Sequence, residues 1–393
     1  MMKVSIAYFS TISQKGYKSE QLKSLVKKLE QNNIYYNCYS LDYSYKSIFT
    51  KKINFIFYSY IPLFINVLYN KLRLKYLYPP YYNYLLGEVL YSWIFSSKIC
   101  KDESNIVILK NRPFSLVKKL KKKTNKFIII DVDQQHPLYT KKLVELELKK
   151  YNISSNNIYT NNFAVNKYVA SFKYADALIV YSQKQKDILI EFGIKNKILV
   201  FELGLENTNN KIFKNDLSDL SNKESIFISF ANHTILKGTH RLIEIWLEMP
   251  KSFKLIIAGN IDNDFKEYLN KLGEFPDNII FINQFNITDL NDYSLKFNLI
   301  GISLSMSESY SRVVSEYFEL GIPVIVSEII DRDVEKYNFG KIVNYDNKSQ
   351  IKDAIYDLND FNNYCIYRNN IINHKFPSYD NFSDNIIEFI NNI

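Results

Sequence analysis

Along the chain, apolar runs of strand length alternate with stretches whose apolar positions return every third or fourth residue, the spacing of one helix face. The runs "KVSIAYFS" (3–10), "IYYNCYSLD" (34–42), "NIVILKN" (105–111), "KFIIIDVD" (126–133) and "ADALIVYS" (175–182) form a first series of expected strands. A helix is expected after the loop "TISQKG", through "SEQLKSLVKKLEQ". Beyond the polar connection 207–225 a second series follows: "IFISFAN" (226–232), "FKLIIAGN" (253–260), "NIIFIN" (278–283), "LIGISLS" (299–305) and "PVIVSE" (323–328). Such alternation predicts parallel sheets covered by helices. The fold expected is therefore α/β, with two Rossmann-like doubly wound domains facing each other across a cleft. They would span residues 1–205 and 206–375, and a terminal helix within 376–393 would pack back on the first. Open α/β sheets bind ligands at the carboxyl ends of their strands, so candidate chemistry is sought in the loops there.

The segment "SLSMSESYSRVVSEYFELGIPVIVSE" (303–328) concentrates that chemistry. A helix is expected to start near Ser311. At about 100° per residue, Val313, Val314, Tyr317, Phe318 and Leu320 share the face that packs on the sheet. Ser315 and Glu319 are expected to point away, and Glu316 sits at the border of core and cleft. Glu308 lies in the preceding loop, with seven residues between it and Glu316. The helix start between them offers free N–H groups and a positive dipole end, a site for phosphate. Ser309 and Ser311 can cap that start or donate hydroxyls, and Arg312 adds a charge in the first turn. Two carboxylates flanking an anion-binding helix start fit a nucleotide sugar. The same spacing also fits a surface helix with two ordinary glutamates.

Composition narrows the class. At 393 residues, 47% hydrophobic and 23% charged, the chain suits a globular protein of two domains rather than disorder. Cys38, Cys100 and Cys365 are far apart and form no CxxC, so neither a zinc site nor a disulfide framework is expected. His233, His240 and His374 show no metal spacing and read as structural or surface residues. The start "MMKVSIAYFS" lacks the apolar core of a signal peptide, so a cytoplasmic location is expected.

Charge divides the chain. Residues 1–200 hold 32 Lys and Arg against 13 Asp and Glu, while the remainder holds 18 against 28. A basic half suits an anionic partner. Nucleic acid is set aside, because no helix-turn-helix, RNP or zinc pattern is present. Residues 44–98 are aromatic as well as basic, and the apolar run 53–69 approaches spanning length. It contains Asn54, Ser59, Pro62 and Asn66, so a transmembrane helix is rejected. Two readings stay open: a helix lying in the membrane interface, or core helices with snorkelling lysines. "KKLKKKTNK" (118–126) adds charge to the same domain. Under the first reading the N-terminal domain touches an anionic membrane peripherally, on its cytosolic face.

Glu308 and Glu316 resemble the E-x7-E signature of the retaining glycosyltransferases of family 4, and "GIPVIVSE" is similar to that family's GxPVI-type strand. Upstream, "FISFANHTILKGTHRLIEIWLEMPKSFKLIIAGN" and "YADALIVYSQKQKDILIEFGIKNKILVFELGLENTNNKIF" resemble two further family blocks in the family's order, so the likeness covers roughly residues 170–330. The resemblance implies a GT-B fold, with the acceptor on the first domain and the nucleotide sugar mainly on the second. It also implies no obligatory metal and no other cofactor, which is coherent where cationic side chains and a helix end hold a diphosphate. By position, Lys237 matches the family's diphosphate-binding lysine and Gly238 the glycine after it. Glu316 matches the glutamate that binds the donor ribose, and Glu308 the one beside the donor sugar and scissile phosphate. Gly16 resembles the glycine that lets the backbone approach the diphosphate. His136 lies where the family often has an active-site histidine near the transferred sugar. Ser309, Tyr310, Ser311 and Arg312 form the donor-binding helix start.

Two positions depart from the family pattern. Asn232 stands where the family has an arginine five residues before the lysine, with Arg312 the candidate to replace its diphosphate contact. Ser309 and Ser311 stand where it has glycines. The resemblance implies retaining transfer of a sugar from a nucleotide-sugar donor to a glycan or lipid-linked acceptor, in surface polysaccharide or glycolipid synthesis. The alternatives are a non-catalytic GT-B subunit that binds a nucleotide sugar or a partner enzyme, and a sugar-nucleotide epimerase.

Overall fold

The structure, a computed structural model, describes residues 2–9, 17–40, 80–110, 114–154, 159–205, 220–330 and 332–393. Gly16 and residues 44–79 of the basic aromatic stretch lie outside the described residues.

The chain opens with β1 (Lys3–Tyr8), α1 (Tyr17–Gln31), β2 (Tyr35–Tyr39), α2 (Pro80–Lys101), β3 (Ile106–Lys110), α3 (Phe114–Lys123) and β4 (Phe127–Asp131). There follow α4 (Pro137–Lys150), α5 (Asn162–Phe172), β5 (Ala177–Val180), α6 (Gln183–Glu191) and β6 (Lys197–Val200). The second series is β7 (Ser225–Phe230), α7 (Thr239–Trp246), β8 (Lys254–Ala258), α8 (Asn263–Leu272), β9 (Ile279–Ile282) and α9 (Ile287–Lys296). It continues through β10 (Asn298–Ser303), α10 (Arg312–Glu319), β11 (Val324–Ser327), β12 (Gly340–Val343), α11 (Lys348–Asn359), α12 (Phe361–Asn373) and α13 (Tyr379–Asn391).

Two six-stranded sheets result, in the orders β2-β1-β3-β4-β5-β6 and β12-β11-β10-β7-β8-β9. Every neighbouring pair is parallel. Interior strands read as continuous apolar runs because both faces are covered: all of β3, β5 and β11 is buried. The edge strands β6 and β12 are four residues each and half exposed; neither is among the expected strands, although β6 lies in the short apolar run Ile198–Phe201.

The chain divides into two compact units. One comprises residues 1–141, 156–206 and 377–393, the other residues 142–155 and 207–376. In the first, Tyr91, Phe95 and Ile99 of α2 join Leu116, Val117 and Leu120 of α3 over Val107, Leu109, Ile128 and Ile130 of the sheet. The C-terminal α13 belongs to this unit and packs on α1, where Ser24 Oγ donates to Asp380 Oδ1 at 2.7 Å and Lys28 pairs with Asp384 at 2.8 Å.

In the second unit, α10 is anchored by Tyr317. Its hydroxyl donates to Ile228 O at 3.1 Å and accepts from Phe230 N at 3.0 Å, both on β7. To reach β7 the ring crosses β10 at Gly301, where an added Cβ would lie 2.4 Å from a ring carbon. Two histidines are locked in the same unit. His233 is fully buried; its Nε2–H donates to Ala258 O at 2.9 Å, leaving Nδ1 to accept from Thr239 Oγ1 at 2.9 Å. His240, also fully buried, meets Glu147 at 2.8 Å, and Glu147 is shared with Arg241. Burial drives the pKa of His233 down to about 4 and lowers that of His240 against the opposing pull of Glu147.

Two outcomes are expected. Gly301→Ala forces the Tyr317 ring off the sheet and costs about 1–3 kcal/mol, read as a lower denaturation midpoint; an unchanged midpoint would refute the ring's role as anchor. Unfolding lets His233 and His240 take protons near their ordinary value of 6.5, whereas folded His233 stays neutral to about 4. Stability therefore falls as pH drops from about 6.5 toward 4. Thermal unfolding across that range checks it, with His233→Gln flattening the slope.

Candidate active site

In the second sheet, the strands run from β7 through β8 to β9 on one side and from β10 through β11 to β12 on the other. The order reverses between β7 and β10, and the loops leaving these two strands diverge there, the feature that opens a ligand crevice in doubly wound sheets. The loop after β7 runs through a 3-10 turn, Ile235–Lys237, to Gly238 and into α7. The loop after β10 carries Leu304 to Ser311.

The two loops meet at Gly238. This residue has φ +71°, and a Cβ there would lie 2.1 Å from Leu304 O, so only glycine fits. Met306 N donates to Leu236 O at 3.0 Å and ties the loops again. The result is an ion pair between Lys237 Nζ and Glu308 Oε1, 71 residues apart in sequence. Ser305 Oγ donates to the same carboxylate oxygen at 3.1 Å, and Ser305 O accepts from Ser327 Oγ at 2.5 Å, which binds the loop to the end of β11.

Helix α10 starts at Arg312, one residue later than expected, with Ser311 as its N-cap residue. Ser311 does not cap through its side chain as expected. Its φ of +43° places it in the left-handed region, a strain of about 1–3 kcal/mol for a residue with a Cβ, and its side chain makes no capping hydrogen bond. Its Oγ is buried and has no hydrogen-bond partner among the described residues. Such a backbone conformation is one that glycine adopts freely. Ser309 is half-buried and Tyr310 buried.

Arg312 Nε donates to Glu316 Oε1 at 2.8 Å across one turn; the Arg312 side chain is 45% exposed and that of Glu316 14%. Ser315 departs from expectation. Rather than pointing away, it is buried and accepts from Arg332 Nη1 at 2.7 Å. Arg332 Nη2 also donates to Tyr310 OH at 2.5 Å, and its guanidinium lies 3.9 Å from the Tyr310 ring centroid. No pattern in the sequence announces Arg332, which arrives from beyond β11.

At the carboxyl ends of β7, β8 and β9 is a cavity of about 660 Å³, lined by Phe230, Asn232, Asn260, Asn283, Phe285 and Asp289 among others. None of its lining residues is cationic. Asn232, in the place of the family arginine, is exposed and contributes an amide to this wall. Asp289 is engaged by Asn286 N at 2.8 Å in the capping box of α9. The signal for Asn260 and Asn283 was available: the apolar runs of β7, β8 and β9 are each followed within two residues by asparagine.

His136 belongs to the first unit and is fully buried. Its ring stacks on Phe192 with centroids 4.7 Å apart, and Nδ1 accepts from Leu138 N at 3.3 Å. The proton therefore sits on Nε2, which is buried and has no partner among the described residues. Burial lowers its pKa to about 4, so the imidazole is neutral at physiological pH.

Residues 211–365, all within the second unit, match the model of a family described as glycosyl transferases group 1. Among curated proteins, none matches the chain by sequence. Among solved structures, sucrose-phosphate synthase from Thermosynechococcus elongatus is similar over 100% of this chain and 99% of its own, with TM-score 0.69 and 14% identity. A trehalose-6-phosphate protein from E. coli bound with UDP-2-fluoro glucose gives TM-score 0.65 and 12% identity, covering 100% of this chain and 99% of its own. Anabaena HepE in complex with UDP-glucose gives 0.62 and 14%, covering 100% of both. At such identities the likeness speaks for the fold, which is GT-B. Together with the matched segment, it supports a glycosyltransferase of the GT-B fold.

Proposed function

We propose that the chain is a retaining glycosyltransferase that moves a sugar from a nucleotide-sugar donor to a glycan or lipid-linked acceptor in surface polysaccharide or glycolipid synthesis. The observation that carries the reading is the Lys237–Glu308 pair at the reversal point of the second sheet, beside the start of α10 and Glu316. In this reading Lys237 and the N–H groups opening α10 hold the diphosphate, Glu316 takes the ribose hydroxyls and Glu308 faces the sugar. The amide-lined cavity at the ends of β7, β8 and β9 opens where β7 ends, the strand whose following loop carries Lys237, and has room for a base. No metal is required, since Lys237, Arg312 and the helix start supply positive charge.

The acceptor hydroxyl attacks the anomeric carbon from the face the diphosphate leaves. The carbon–oxygen bond to the phosphate breaks, and the departing phosphate oxygen takes the acceptor proton. The charge that develops is met by Lys237 and the helix start; losing one such donor costs on the order of 10²–10³ in rate. Double displacement through a glycosyl-enzyme is disfavoured, because Glu316 is given to the ribose.

UDP is the first nucleotide to try, because solved relatives hold UDP or UDP-glucose. In a thermal-shift comparison of UDP, GDP and ADP, one nucleotide is expected to raise the midpoint, with or without chelator, and Glu316→Ala to abolish the rise. No rise with any of the three would sink the donor assignment and favour a non-catalytic subunit. Ser311 gives a separate check. Ser311→Gly relieves the left-handed strain and removes the buried, unpartnered hydroxyl at the start of α10, which in this reading turns to donate to the diphosphate. The expected result is an equal or higher midpoint without ligand and nucleotide binding weaker by roughly fivefold, about one hydrogen bond. Unchanged affinity would remove the hydroxyl from the site.

A further inference from the structure

Helix α2 is apolar on both faces, a pattern ordinarily found in helices surrounded by apolar material on all sides. Its inner face is accounted for by Tyr91, Phe95 and Ile99 in the core. The outer face is not: Leu86, Val89 and Trp93 are 47%, 42% and 66% exposed. On a helix these three fall within an arc of about 60° and form one stripe. A tryptophan two-thirds exposed beside two exposed aliphatic residues is a contiguous apolar patch rather than scattered surface.

The helix beside it supplies charge. Glu88, on the inner side of α2, accepts from Ser115 N at 2.5 Å and Ser115 Oγ at 2.9 Å, which locks the start of α3 against α2. Helix α3 buries Phe114, Leu116, Val117 and Leu120 and exposes Lys118, Lys122 and Lys123. Lys123 lies within electrostatic reach of Cys100 near the end of α2. Lys121 on the same helix is paired with Asp176 at 2.5 Å, whereas among the described residues no carboxylate is in ion-pair range of Lys118, Lys122 or Lys123.

We propose that the outer face of α2 and the lysines of α3 form a docking surface for an anionic phospholipid membrane. Tryptophan and aliphatic side chains sit in the headgroup boundary, and lysines beside them meet anionic lipids. A nucleic-acid backbone would match the lysines but leave Leu86 and Val89 in water. Among the described residues no helix is long and apolar enough to cross a membrane. The inference extends the lipid-linked acceptor of the proposed function and rests on that reading for its purpose, though its test needs neither donor nor acceptor.

The chain has a built-in reporter, since it contains two tryptophans and Trp246 is only 1% exposed. The full chain is mixed, without nucleotide, with vesicles of phosphatidylcholine alone or of equal parts phosphatidylcholine and phosphatidylglycerol. Expected are sedimentation with the anionic vesicles, weakened by salt, and a blue shift of tryptophan emission that Trp93→Phe removes. Trp93→Ser weakens partitioning by roughly tenfold, and each of Lys118→Gln, Lys122→Gln and Lys123→Gln by roughly fivefold. Both kinds of variant alter surface positions and keep the wild-type unfolding midpoint and any nucleotide-induced shift, so membrane docking and donor binding can fail separately. Absence of vesicle binding, or binding indifferent to Trp93→Ser and the lysine changes, overturns the proposal. So does a lipid-free dimer dispersed by Trp93→Ser, which would make the face a contact between copies.

Discussion

The phenol of Tyr317 is held in the backbone of β7 by two hydrogen bonds, while its ring occupies the space above β10 that Gly301 leaves empty. This contact fixes α10 in rotation and height against the two strands that flank the reversal point. Ser311, Arg312 and Glu316 ride on that helix, so their positions relative to Lys237 are set by one ring and one missing side chain. The buried phenol is kept protonated by its surroundings, burial above all, so the anchor does not come loose as pH rises through the ordinary tyrosine range. A polar tip on a large apolar body makes such an anchor possible, because the body fills the layer between helix and sheet while the tip finds backbone partners there.

The two candidate carboxylates are each held by a cation from their own unit, Glu308 by Lys237 and Glu316 by Arg312. The site is thus internally compensated before any ligand arrives. A diphosphate would compete with Glu308 for Lys237, and a ribose hydroxyl would approach a Glu316 already oriented by Arg312. Such pre-pairing holds the side chains in place while trimming the net attraction for any passing anion. Arg332 plays the supporting part, tying the Tyr310 ring and Ser315 to one guanidinium beneath the helix start.

Interior strands were legible because a parallel sheet covered on both faces needs unbroken apolar runs, as in "KFIIIDVD" and "FKLIIAGN". The edge strands β6 and β12 were not: each is four residues long and begins with or contains a lysine, so only two or three apolar residues mark it, whereas the edge strand β9 is apolar throughout. Periodicity located the α10 face through Val314, Tyr317 and Phe318 but misplaced Ser315, which is buried because Arg332 reaches over from beyond β11. A helical wheel knows only its own helix. The resemblance pointed to Lys237 and Glu308 singly and not to their pairing, and spacing could not have shown it, since a contact across 71 residues leaves no local periodic trace. The unbonded Ser311 hydroxyl was hidden for a related reason, because capping statistics presume an extended N-cap backbone and this one is left-handed.

Two positions share left-handed backbone near the site, yet they stand very differently toward change. At Gly238 a carbonyl oxygen lies 2.1 Å from where a Cβ would be, a collision that no rotamer relieves because both partners are main chain. At Ser311 the cost is torsional only, and the chain already bears it. Sequence drift in this fold is therefore gated unequally. The crossing of the two loops admits a single residue type, while the buried helix start beside it tolerates a small side chain such as serine in place of glycine without unpicking the scaffold.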